Sequence, residues 1–390
     1  MTPDTFISKL ARSIPPSGIR RFFDIAATME DVISLGIGEP DFDTPAPIVE
    51  AGIAALQRGA THYTSNSGLI ELRQALAAHI HKLYGLDYDP THEILVTVGV
   101  SEALYLAMAA LLDPGDEIIF AEPCFVAYEP TAVMVGATPV AIPTTPETGF
   151  QLTAEMIEAA ITEKTKVLFL ASPNNPTGAV INRERLTAIA ALAEKYNLVV
   201  LSDEIYDRLV YGVEHVCFAT LPGMRERTIV LQGFSKAYAM TGWRVGYLLG
   251  PETLVAEMRK LHQYLIMSAP TVSQWAALKA LEVGEPFVQE MHARYERRRK
   301  LIVGGLNDIG LMCIEPHGAF YAFPCIQSTG MDDNIFAERL LQEERVAVIP
   351  GRVFGPSGAG FVRMSYATAY DKIEVALERI AAFVQRCRVA

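Results

Sequence analysis

The stretch Gln232-Gly-Phe-Ser-Lys-Ala-Tyr-Ala-Met-Thr-Gly-Trp-Arg-Val-Gly-Tyr247 decides how the rest of the chain reads. An apolar run, Thr228 to Leu231, delivers it, and Lys236 stands just past a Gly-Phe-Ser turn. Arg244 follows within a second apolar run, Trp243 to Leu249, which predicts that it sits on an adjacent strand. A lysine where a strand stops can hold an aldehyde as a Schiff base, while a neighbouring guanidinium grips a phosphate with two parallel donors. An isolated Ser-Lys pair is more often plain surface, so this reading depends on its surroundings.

Outward from that stretch, strands and helices alternate. Ile94–Val98, Ile118–Phe120, Thr138–Ile142, Lys166–Ala171 and Leu198–Leu201 read as strands. Between them lie helical segments: 101–112, one through Val135, one capped by Thr153, and 183–197. This alternation predicts an α/β fold with a mainly parallel sheet under covering helices. The strand ends carry polar or glycine-containing turns: Gly99-Val-Ser-Glu102, Glu122-Pro-Cys-Phe125, Ser172-Pro-Asn-Asn-Pro-Thr-Gly178 and Ser202-Asp-Glu-Ile-Tyr206. Ligands collect at such ends in open α/β sheets. The turn at Gly99, ahead of a helix start, makes an anion site from free N–H groups and the helix dipole.

The flanks differ. Up to Asp31 the chain reads as an arm or short helix lying on something else. Val32–Leu35 is a short strand entering Gly36-Ile-Gly-Glu-Pro-Asp-Phe42, whose glycines serve either a close backbone approach to a ligand or a plain tight turn. Helices over 47–58, closed by Gly59, and 70–83 bracket the polar loop 61–68. After Pro251 come helices over 254–266, 271–283 and 286–309. Alternating strands over 318–323 and 361–366, with helices over 334–343 and 371–386, then form a small α+β unit. With 390 residues two unequal domains are expected. We place an N-terminal arm and part of the small domain in 1–45, the large domain in 46–285 and the small C-terminal domain in 286–390.

A net charge of −12 argues against nucleic acid or an anionic membrane as partner. The densest basic run, Arg297-Arg-Arg-Lys300, is expected to be a solvated helix face. Five cysteines without close pairing speak for reduced thiols and against a disulfide framework or a metal site. No signal pattern or membrane span is legible, so a cytoplasmic location is expected.

With its strand ends in view, the chain resembles the class I, fold type I pyridoxal phosphate (PLP) aminotransferases, in the aspartate and aromatic amino acid subgroup. The likeness runs from Leu35-Gly-Ile-Gly-Glu-Pro-Asp-Phe42 to Arg363-Met-Ser-Tyr-Ala367. Ser172–Gly178, Ser202–Tyr206 and Gly233-Phe-Ser-Lys with Thr241-Gly-Trp-Arg244 carry most of it. The resemblance implies that Lys236 is the Schiff-base lysine and later moves a proton. It implies Asp203 as carboxylate partner of the pyridine nitrogen, Tyr206 and Asn175 as donors to the phenolate oxygen, and Phe125 as the stacking ring. The phosphate would rest on the N–H groups of Val100, Ser101 and Glu102, the Ser101 and Ser235 hydroxyls and Arg244. Tyr63 matches a tyrosine that reaches the phosphate from the neighbouring subunit, implying a homodimer with shared sites. Arg363, with Asn175 and the Gly38 backbone, would bind the substrate's α-carboxylate.

Two departures matter. Aspartate-specific members of the subgroup can carry a lysine at the Ser101 position, and Gly99-Val-Ser-Glu-Ala-Leu104 has no cation. The expected reaction is therefore ping-pong transamination from alanine, aromatic or other apolar donors to 2-oxoglutarate. An aspartate aminotransferase and a PLP-dependent β-lyase on the same fold are the alternatives. Gly233 stands where some relatives have a phosphate-binding serine.

Overall fold

The computed structural model describes residues 3–16, 18, 19, 25 and 29–389. The expected N-terminal arm therefore falls partly outside the described residues; its described part holds a 3-10 turn, Pro3–Phe6, and helix α1, Lys9–Ser13. In chain order come β1 (Ile33–Ser34), α2 (Ala46–Gln57), α3 (Ile70–Tyr84), β2 (Ile94–Thr97), α4 (Gly99–Leu111), β3 (Glu117–Glu122), α5 (Tyr128–Met134) and β4 (Thr138–Pro143). Then follow α6 (Ala154–Ala160), β5 (Thr165–Ala171), α7 (Arg183–Lys195), β6 (Val199–Asp203), β7 (Thr228–Gly233), β8 (Gly246–Leu249), α8 (Glu252–Leu265), α9 (Thr271–Val283) and α10 (Glu285–Ile309). The chain closes with β9 (Tyr321–Ala322), α11 (Asp333–Glu344), β10 (Val346–Ala347), β11 (Ile349–Pro350), β12 (Val362–Ser365) and α12 (Tyr370–Val389).

The central sheet has seven strands in the order β2-β8-β7-β6-β5-β3-β4. All its pairings are parallel except those of β8, which runs antiparallel to both β2 and β7. The α/β reading with a mainly parallel sheet is thus the observed fold. Runs such as Val167-Leu-Phe-Leu170 and Ile229-Val-Leu231 are buried throughout because helices cover both faces. Several helix starts are fixed locally: Thr153 accepts the Met156 N–H, and Asn182 accepts that of Arg185, each supplying an otherwise missing acceptor.

A second core lies toward the C-terminal end. There β11, β12 and β9 form an antiparallel sheet, and β1 pairs in parallel with β10, Ile33 opposite Val346. Helix α10 contributes Val288 to the core beside the large sheet, and Met291, Tyr295, Ile302 and Leu306 to this second one.

Three local expectations are corrected. The basic run is not a solvated face, because Arg298 and Arg299 are buried. Arg298 holds Asp41 through two bonds of 2.7 and 2.9 Å, and Arg299 pairs with Glu296 and Glu315. Arg244 does not sit on a strand. It precedes β8 in the left-handed region at φ 52°, closing the 3-10 turn Thr241–Trp243. The run 318–323 is extended only at Tyr321–Ala322, since Ala319 adopts φ 57° and breaks the ladder.

One close approach sets where the sheet meets the start of α4. A Cβ on Gly246 would lie 2.8 Å from Val100 N and from Gly99 C, so backbone meets backbone there. Gly246→Ala should therefore lower unfolding stability by about 1–3 kcal/mol. The check is a lower urea midpoint at constant slope. An unchanged midpoint would mean that β8 and the helix start separate without cost.

Candidate active site

Parallel register brings the site together. β6 and β7 are neighbours with Asp203 opposite Leu231, so Asp203 closes one strand beside the strand that leads into Lys236. The Ile205 N–H donates to Asp203 Oδ1 at 3.2 Å, and the Tyr128 hydroxyl donates to Oδ2 at 2.9 Å. Asn175 follows β5, and Arg363 enters from β12. These ends surround a cavity of about 510 Å³.

Eleven of the thirteen residues singled out in the sequence line that cavity: Gly38, Val100, Ser101, Phe125, Asn175, Asp203, Tyr206, Ser235, Lys236, Arg244 and Arg363. Two do not. The Glu102 side chain is buried away from it, accepting the Val98 N–H at 2.5 Å and lying 2.7 Å from His262 Nδ1. Tyr63 is 79% exposed and borders a separate surface hollow with His62 and Thr271.

Lys236 Nζ donates to the Gly38 carbonyl at 2.7 Å. Burial, with the nearby positive charges of Arg363 and Arg244, pulls its pKa down to about 8, against a weaker pull upward from Glu39 and Asp203. Burial pushes Asp203 up to about 6, with the Tyr128 and Ile205 hydrogen bonds acting the other way. Arg363 Nη1 donates to Asn175 Oδ1 at 3.0 Å and Nη2 to the Gly36 carbonyl at 2.6 Å. Its guanidinium carbon lies 4.5 Å from the Tyr321 ring centre and 4.8 Å from that of Phe354. Arg244 lies against Gly99, where a Cβ would come within 2.6 Å of Nη2.

Sequence reasoning missed two residues. Tyr128 was hidden because nothing in the spacing of a short helix aims its hydroxyl at a carboxylate 75 positions on. Tyr321, whose hydroxyl lies 2.9 Å from that of Tyr206, meets Arg363 only through the β12–β9 register, which pairs it with Ser365. An aromatic residue two places past Ala319 in an alternating run was the available signal.

The family model described as aminotransferase class I and II matches residues 30–380. The chain belongs to that family. This aminotransferase is 50% identical to the putative aminotransferase YugH of Bacillus subtilis, over 98% of this chain and 99% of the relative. It is 46% identical to an aspartate aminotransferase of Pyrococcus abyssi, over 94% and 95%. The solved structure of an aromatic aminotransferase from Pyrococcus horikoshii superimposes with a TM-score of 0.90 at 44% identity, covering 95% of this chain and all of that one (100%). The chain is a PLP-dependent transaminase of fold type I.

The residues present fit that cofactor. A half-buried amine with a lowered pKa, a buried carboxylate with no cation bonded to it among the described residues, and a helix start face one cavity. Among the described residues Arg363 Nε is buried without a partner, as expected of a guanidinium with a further anion still to bind.

Asp203 binds its proton more tightly folded than unfolded, since its pKa rises from 3.8 to about 6. Its contribution to stability in the cofactor-free chain is therefore full below about pH 4 and is lost as pH rises through about 6. Asp203→Asn should remove that slope, read as the difference in urea midpoints between variant and wild type across this window. For Lys236, the cofactor-free chain should react with an amine acylating reagent at half its maximal rate near pH 8, where its pKa lies. A half-point near that of free lysine would refute the buried setting.

Proposed function

We propose that this aminotransferase transfers amino groups by a two-stage (ping-pong) cycle from alanine, aromatic or other apolar amino acids to 2-oxoglutarate. The observation that carries the donor class is the charge census of the cavity wall. Among the described residues its cations are Lys236, Arg244 and Arg363, and each has a task already. Ser101 lies where the resemblance allows a fourth cation, and Glu39 stands at the wall as a further negative charge. A donor's distal carboxylate thus forgoes a charge-assisted contact of roughly 1.5–3 kcal/mol.

When bound, the cofactor supplies an aldehyde that takes the amino group and a ring that spreads the negative charge left on Cα. The chain does the rest. Arg363, aided by Asn175, would hold the substrate's α-carboxylate and so fix how Cα is presented to Lys236. Lys236 Nζ, partly uncharged near neutral pH, would take the proton from Cα and deliver it to the former aldehyde carbon. Asp203 keeps a proton on the ring nitrogen, and an anion partner there satisfies its buried charge better than water. Tyr206 Oη and Asn175 donate to the ring oxygen. Val100, Ser101 and Glu102 N–H groups, the Ser101 and Ser235 hydroxyls and Arg244 hold the phosphate. Tyr63, exposed on its own subunit, would complete the site of a second copy in a homodimer.

Lys236→Ala should abolish turnover while leaving the thermal midpoint within a few degrees, because one amine is not core packing. Asp203→Ala should cost several orders of magnitude in kcat. For the donor, single amino acids are mixed with the loaded enzyme and the conversion of its absorbance band is followed. Apolar and aromatic donors should exceed aspartate at least about ten-fold in kcat/KM, the equivalent of 1.4 kcal/mol. Aspartate ranking first would overturn the donor assignment.

A further inference from the structure

His262 is a fully buried histidine in the last turn of α8, outside the cavity, where helix carbonyl ends attract positive charge. Its Nδ1 lies 2.7 Å from Glu102 Oε1, and the other Glu102 oxygen accepts the Val98 N–H at 2.5 Å. Among the described residues His262 Nε2 has no partner, so the ring's hydrogen bonding is spent on Glu102. Glu102 in turn stands in the first turn of α4, next to Val100 and Ser101, which line the cavity.

That placement poses an electrostatic problem. A carboxylate in the first turn enjoys the positive end of the helix, which is also the end an incoming phosphate needs. Two anions at one helix start repel each other, more so where water is excluded. We propose that His262 is a positioning residue for the anion cradle. Through its 2.7 Å contact from Nδ1 it holds the Glu102 carboxylate on the Val98 N–H, leaving the Val100 and Ser101 end of the helix free for a phosphate dianion. This rests on the reading that the start of α4 holds the cofactor's phosphate.

The test uses the full chain freed of cofactor, titrated with pyridoxal phosphate, with pyridoxal, which lacks the phosphate, and with inorganic phosphate. His262→Leu should weaken binding of both phosphate-bearing ligands by about ten-fold, while pyridoxal changes less than about two-fold. Adding Glu102→Gln to His262→Leu keeps an acceptor for Val98 and removes the uncompensated charge, so phosphate binding should return to within about three-fold of wild type. A merely structural histidine would give equal losses for all three ligands and no such recovery, and either result overturns the proposal. If His262→Leu does not fold, His262→Gln carries the comparison. It retains a donor to Glu102, so binding of both phosphate-bearing ligands should stay within about three-fold of wild type, and an equal loss for all three ligands overturns the proposal. Wild type that binds pyridoxal phosphate no more tightly than pyridoxal would sink the reading that the start of α4 holds the cofactor's phosphate, and this inference with it.

Discussion

The register of two parallel strands governs this molecule. With Asp203 opposite Leu231, the last residue of β6 stands beside a strand that runs on two residues further, to Gly233, before turning into Lys236. A slip of one residue would turn the Asp203 side chain to the opposite face of the sheet. The buried runs Val200–Leu201 and Ile229–Leu231 hold the register, because a one-residue slip would exchange the side chains packed on the two faces of the sheet. Acid and amine thus reach one cavity through packing far from the chemistry.

Burial then gives both groups their character. Removed from water, the carboxylate and the amine each resist their charged forms, which moves Asp203 up and Lys236 down toward neutrality. The structure tolerates this because partners are supplied locally: the Tyr128 hydroxyl and Ile205 N–H for the acid, the Gly38 carbonyl for the amine. The segment carrying Gly38 is itself anchored, since Asp41 is clamped by the buried Arg298 of α10. One ion pair on the long helix therefore steadies the backbone that meets Lys236. Losing Asp41 would leave Arg298 buried without its carboxylate, a far larger penalty than losing a surface pair.

Cavity-lining groups come from both cores. Arg363 rides on β12 of the smaller sheet, yet its guanidinium reaches Asn175 after β5 and Gly36 after β1. A second tie crosses nearby, where Glu122 at the end of β3 accepts the Ser357 N–H and Phe354 O accepts the Cys124 N–H. Phe354 also packs against Arg363. The arginine is thus oriented by aromatic faces and carbonyls from four segments, which is why a single apolar-flanked arginine in the sequence carries so much weight.

The sequence by itself determined the alternation of strands and helices, the turns at their ends and most of the cavity's residues, because strand periodicity, turn chemistry and motif order are local properties. It read the strands at 94, 166 and 228 to within a few residues, and α9 at both ends. Only the tertiary structure decided what depends on juxtaposition across long separations. The burial of Arg298 and Arg299 follows from acids at Asp41 and Glu315, which helix periodicity cannot see. Arg244 lies in a left-handed position closing the 3-10 turn Thr241–Trp243, which starts the strand later than its apolar flank promised. The hydroxyl of Tyr128 on Asp203, that of Tyr321 on Tyr206, and the ring of His262 on Glu102 span 75, 115 and 160 positions. Such contacts cost chain entropy that only a completed core offsets, so no local pattern announces them.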